Sequence, residues 1–270
     1  MATRDEEAAK DAFNRRDSEA SVLAHATGTK QEEDTLAQEA HTKAASFMKP
    51  FVFGGLDGII TTFAVVAGAS GGRFDIDVIL ALGLSSLFAD ALSMGVGDAL
   101  SSKSEMEAAL KEREREEWEF ENFRAGEINE MVEIYMEKGL SEEDAESVIS
   151  TLAKYKDVFI DFMVQDELGL SVPDEDENPW KEGLVTFTAF IVFGFIPLMG
   201  YALLLPLNLD VDVLFVIAIV LTAITLFMLG VLKSFFVKRS WIMAGLETLT
   251  LGGAVAAVSY LIGWGVESVL

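Results

Sequence analysis

The chain has 270 residues, 51% of them hydrophobic, and carries a formal charge of −24 from 44 acids against 20 bases. A mean hydropathy of +0.33 is too apolar for an ordinary soluble protein, so the apolar and acidic residues must occupy different segments. The acidic balance argues against nucleic acid, which needs a basic footprint, and the absence of cysteine excludes disulfides, thiolate metal sites and cysteine nucleophiles.

Residues 1–47 are polar and rich in Ala, Glu and Asp, with no secretory signal, and are expected to be a partly disordered cytosolic segment. Five apolar blocks follow, near 49–71, 77–101, 181–205, 211–236 and 242–265. Each is long enough to cross about 30 Å of hydrocarbon. The predicted fold is an all-α membrane protein of five transmembrane helices. Its domains are helices 1 and 2 (48–101), a cytosolic helical insertion (102–180) and helices 3 to 5 (181–267). Orientation follows the basic residues. Lys43, Lys49, Lys103, Lys111, Arg113, Arg115, Lys181, Lys233, Lys238 and Arg239 flank one side, whereas only Arg73 stands among Asp75, Asp77, Asp210 and Asp212 on the other. That places the N-terminus and the insertion in the cytosol and the C-terminus in a lumen or the exterior.

The insertion holds roughly three acids for every base. "SSKSEMEAALKEREREEWEFENFRAG" lacks proline and is rich in helix formers, so the second span is expected to continue out of the membrane as one long helix, with Gly126 ending or bending it. "EINEMVEIYMEKG" places Ile128, Met131, Val132, Tyr135 and Met136 on one face, with Gly139 as its stop. Ser141 caps the next helix, and "DVFIDFMVQDELGL" forms a last one ending at Gly169.

Glu116 and Glu119 are three apart, as are Glu127 and Glu130, so each pair shares a helix face. A turn near Gly126 would let the pairs converge. Met163 and Glu167, at i and i+4, can add a thioether and a further carboxylate. Such a donor set suits Fe(II), Mn(II), Co(II) or Zn(II); on spacing alone, a solvated acidic face is the competing reading. Ferritin-like di-iron chemistry needs Glu-x-x-His pairs, but His25 and His41 are the only histidines and neither has a Glu three residues before it. The same shortage of histidines in the spans disfavours a haem or di-iron membrane enzyme.

The spans carry their own polar residues. A carboxylate inside the bilayer costs about 2.5–3.5 kcal/mol on insertion scales, so it is paired, hidden from lipid or used. Asp90, Met94 and Asp98 form one stripe on helix 2, with Ser86 on the same line; Asp57, Thr61 and Gly68 share a face of helix 1. Gly54 and Gly58 permit close helix contact, and this small-residue pattern suggests a homodimer that meets through the first span, with the pathway near the two-fold axis. These stripes suit a transport pathway, with structural pairing of Asp57 to backbone or to Lys233 as the alternative.

Three segments, "DGIITTFAVVAG" on helix 1, "ADALSMGVGDALSSKSE" leaving helix 2 and "FMVQDELGL" closing the insertion, resemble the vacuolar iron transporter family in the same order, over about residues 47–267. The resemblance implies a homodimer of five-helix subunits with a cytosolic metal-binding domain. It further implies proton-coupled movement of Fe(II), and also Mn(II), from the cytosol into a vacuole or similar acidic store, and no enzymatic activity. On that resemblance Asp57 and Met94 are pathway residues, and Glu116, Glu119, Glu127, Glu130, Met163 and Glu167 are metal ligands. Metal is cargo here, with no permanent cofactor. Some plant members carry a carboxylate two turns before the pathway methionine, where this chain has Ser86; Asp90 is the candidate to replace it. The rival reading is a membrane-anchored acidic helical interaction protein without transport activity.

Overall fold

The computed structural model describes residues 8, 11–12, 15–26, 32–173, 177–204, 210–235 and 240–269. Pro206, Lys238 and Arg239, and the side chains of His25, His41 and Lys43, lie outside the described residues. Among the described residues the chain is helical, with no strand. Contacts divide it into a unit over Met1–Lys49 and a larger one over Pro50–Leu270. In the first, Asp17 accepts hydrogen bonds from the Glu19 and Ala20 N–H groups, capping helix α1 (Ser18–Ala26). Helix α2 (Glu32–Gly71) supplies the first candidate span, Phe47–Gly71.

The second span continues without a stop. Helix α3 (Ile76–Glu137) is 62 residues long, roughly 90 Å of helix at 1.5 Å per residue. The part before residue 123 alone runs about 70 Å, more than twice the thickness of the bilayer core and more helix than one span needs. Residue Phe123 interrupts it with non-helical φ −140° and ψ 44°. The break was expected at Gly126, and the structure puts it three residues earlier. Gly126 stays helical, and its missing side chain makes room for the Phe123 ring: a Cβ there would stand 1.9 Å from the ring. The helix stops where the sequence says it should, at Gly139 with φ +105°.

Helix α4 (Glu142–Leu152) starts on Ser141, whose Oγ accepts the Asp144 N–H at 3.2 Å. Helix α5 (Lys156–Asp166) follows, and Gly169, at φ +67°, lies just beyond its C-cap Glu167. The apolar faces of α4, α5 and the end of α3 bury one another around Phe120, Met131, Ala145, Ile149, Phe159 and Met163. Met136, expected on that face, is exposed in the last turn of α3.

The remaining spans are α6 (Pro179–Gly194) with α7 (Ile196–Leu203), α8 (Val211–Ser234) and α9 (Trp241–Val269). Helices α6 and α7 meet at 47°; among the described residues four helices are long and apolar enough to cross a membrane, or five if this bent pair is one span. Pro197 falls in the first turn of α7, where its missing N–H costs no helical bond. The Phe195 N–H still reaches the Ile191 carbonyl at 3.0 Å, keeping the bend's backbone satisfied.

Glycines set the closest helix contacts. A Cβ on Gly54 would lie 2.7 Å from the Thr186 carbonyl oxygen, and one on Gly58 2.5 Å from that of Phe190. The small-residue face of the first span is therefore filled by α6 of the same chain and is not available to a second copy. Gly95 of α3 and Gly183 of α6 touch through their backbones in the same way. Helix α6 thus packs against both the first and the second span. Large side chains such as Phe88, Leu92, Val216, Ile224 and Leu261 face outward, as a surface solvated by lipid tails requires.

Candidate metal centre

In an unbroken helix Glu116 and Glu127, eleven positions apart, would stand about 16 Å apart along the axis. The interruption at Phe123 removes that separation. Carboxylate oxygens of Glu116, Glu119 and Glu127 all lie within 4.8 Å of one another. Glu116 is 1% exposed and Glu127 8% exposed, so two of the three carboxylates are withdrawn from solvent, while the Glu119 side chain is 38% exposed. Burying carboxylates together is unfavourable unless a cation joins them.

The electrostatics of the cluster follow from this crowding. Burial, and then the charges of Glu116, Glu119 and Glu130, push the Glu127 carboxyl above its ordinary range. Glu167 is pushed up to about 7, by burial first and then by Glu116, Glu130 and Glu127. Asp166 next to it is also desolvated, yet hydrogen bonds from Lys138 and Tyr135 hold its carboxyl low. Glu167 thus feels the charges of the converging glutamates, while Asp166 is tied to Lys138 and Tyr135. One oxygen of Glu116 and one of Glu167 are buried with no hydrogen-bond partner. Such orphaned acceptors are what a cation would satisfy. Glu130 is exposed and acts on the centre through its charge, while Met163 is fully buried in the apolar core of the helical bundle, one turn before Glu167.

Two residues of the centre were not foreseen. Arg115 donates to Glu116 Oε1 at 2.7 Å and lies 2.9 Å from Glu112 Oε2 and 3.7 Å from Glu119 Oε2. Glu112 precedes Glu116 by one helical turn, and Arg115 stands three after Glu112 and four before Glu119, so helical spacing was a usable signal for both residues.

Within the spans, the polar stripe of α3 is half-buried. Asp90 accepts a hydrogen bond from Ser86 at 2.8 Å, and Asp98 accepts one from Thr186 of α6 at 2.6 Å. Met94 packs beside the apolar core of the spans. Thr61 donates to the backbone carbonyl of Asp57 at 2.7 Å. Among the described residues the Asp57 carboxylate has no ion pair, so Lys233 is not its partner.

The model of the VIT family matches residues 48–264, spanning the helices and the carboxylate centre together. The chain belongs to the VIT family. It is 41% identical to a vacuolar iron transporter of Toxoplasma gondii, over 96% of this chain and 88% of that one. Against a vacuolar iron transporter of Plasmodium falciparum the identity is 37%, covering 83% and 84%. Against vacuolar iron transporter 1 of Arabidopsis thaliana it is 30%, covering 82% and 87%. These VIT relatives are named as transporters, not enzymes.

A pH dependence follows for this VIT centre. The folded chain holds the Glu167 proton more tightly than the ordinary value of 4.5. Lowering the pH from about 7 toward 4.5 therefore relieves the metal-free fold, and charge repulsion is fully present above that window. With Glu167 as a ligand, metal has to displace that proton, and Mn(II) affinity is then expected to fall below pH 7 by at most about tenfold per pH unit for one proton. Calorimetric titration between pH 5.5 and 8 measures this. Glu167→Gln should bind more weakly with a flattened profile; a wild-type slope in that variant would assign the proton elsewhere.

Proposed function

We propose that this chain moves Fe(II), and also Mn(II), from the cytosol into a vacuole or similar acidic store, in exchange for protons. The observation that carries the proposal is the convergence of Glu116, Glu119 and Glu127, the first and last of them buried, in a VIT-family chain, with an unpartnered oxygen on Glu116. The names of the relatives supply iron and the vacuole. In this reading residues 1–47 are a polar, partly disordered cytosolic segment, 102–180 a cytosolic metal-binding domain, and 48–101 with 181–267 the transmembrane body, its C-terminus lumenal. The basic residues on one side of the spans support that orientation.

The six assigned ligands, Glu116, Glu119, Glu127, Glu130, Met163 and Glu167, gather cations from a cytosol where free iron is scarce. The pathway runs along Asp98, Met94 and Asp90 of α3 to Asp57 and Thr61 of the first span. Carboxylates there bind without caging, and the Met94 sulfur favours Fe(II), and with it Co(II) or Zn(II), over Mg(II) or Ca(II). The homodimer implied by the family resemblance needs a face other than Gly54 and Gly58. We place it on α3, where Ala81, Ser85, Ala89, Ser93, Gly97 and Ser101 recur every four residues and are all exposed. Gly97 has open space beside it. Small residues at that spacing suit close helix approach in lipid.

The test is metal uptake into vesicles holding the purified chain. Fe(II) and Mn(II) uptake is expected with an acidic interior and is expected to collapse when an ionophore dissipates the gradient. No uptake under any gradient would favour an acidic interaction protein over a transporter.

A further inference from the structure

Arg115 is the cation already standing at the centre. Its guanidinium reaches Glu112, Glu116 and Glu119, and Glu116 and Glu119 are two of the three converging carboxylates. We infer that Arg115 is a built-in placeholder cation: it holds the carboxylates together in the metal-free chain, leaves when a divalent ion enters, and so keeps binding weak enough for release. This rests on the reading of the cluster as a metal centre.

Three observations carry it. Arg115 satisfies only one oxygen of Glu116, and the other is buried without a partner, so an incoming ion has a first foothold before any ion pair breaks. The Arg115 side chain is 48% exposed, so it can swing into water without itself being desolvated. And Glu116, Glu119 and Glu127 repel one another at this distance, a repulsion that the guanidinium offsets by bridging the first two with its planar fork. An arginine serving only as a structural ion pair makes the opposite prediction, since its loss would disorganise the ligands and weaken metal binding.

Mn(II) titration of the full chain in detergent, followed by calorimetry, separates these. Arg115→Gln is expected to tighten binding by about tenfold and to slow metal release into a chelator, because a competing charge at contact distance is removed. Arg115→Lys, which keeps the charge, should stay near the unaltered value. Lys111→Gln removes an exposed cation one turn earlier on α3 and should change affinity less than about twofold through a screened surface charge. Circular dichroism reports whether each variant keeps its helices. Unchanged or weaker binding in a folded Arg115→Gln chain overturns the inference, and so does equal tightening by Lys111→Gln. If the unaltered chain binds no Mn(II), the cluster reading itself fails and takes this inference with it.

Discussion

Asp57→Asn is expected to abolish gradient-driven metal uptake while leaving metal binding at the carboxylate centre intact. Asp57 sits on the first span, half-buried, with no ion pair among the described residues. A charged carboxylate inside the membrane is unfavourable, and either a proton or a divalent cation relieves the cost. One carboxylate does not hold both at once. Metal arriving from the cytosol would displace the proton, and an acidic lumen would restore it and drive the metal off. Asparagine keeps the shape and the hydrogen-bonding capacity but can neither titrate nor bind a cation strongly. The measurement is initial uptake into vesicles with acidic interiors, at several gradient sizes. A wild-type rate with unchanged gradient dependence would remove Asp57 from the coupling. Met94→Leu is a companion test: it preserves volume and deletes the soft donor, so Fe(II) uptake should fall more than Mn(II) uptake.

Changing Glu116, Glu119, Glu127 and Glu130 together to alanine should weaken Mn(II) binding at the centre by at least about a hundredfold, since loss of outer-shell partners alone costs ten- to hundredfold. The helical signal should survive. The core of this bundle is Phe120, Met131, Ile149, Phe159 and Met163, none of which is touched, and alanine is the strongest helix former. Removing clustered like charges should also raise the thermal midpoint of the metal-free chain. Loss of binding with a retained or raised midpoint identifies ligands. Retained affinity would return the four glutamates to an ordinary acidic surface, which the 1% exposure of Glu116 makes an unfavourable description.

Much of this molecule is written locally. Apolar length alone marks the spans, and unbroken helix propensity after Ser101 carries α3 from the second span into the insertion. Ser141 and Gly139 announce their cap and stop because each acts on backbone within a few residues of itself. The i, i+3 glutamate pairs are legible for the same reason: helical spacing fixes which side chains share a face. Whether those faces meet is another matter. Convergence depends on the break at Phe123, and its place is set by a ring seated over Gly126, a packing preference with no signature in the local sequence. The partner of Asp98 is Thr186, 88 positions away, and the face offered by Gly54 and Gly58 is taken by α6, whose approach depends on how three helices share one surface. Arg115 meets Glu112, Glu116 and Glu119 on its own helix segment, contacts that helical spacing allows, whereas only the fold brings Glu127 of the following segment to the same carboxylates. Contacts made along the chain are settled by periodicity and propensity; contacts across it are settled by competition among surfaces, which only the assembled fold resolves.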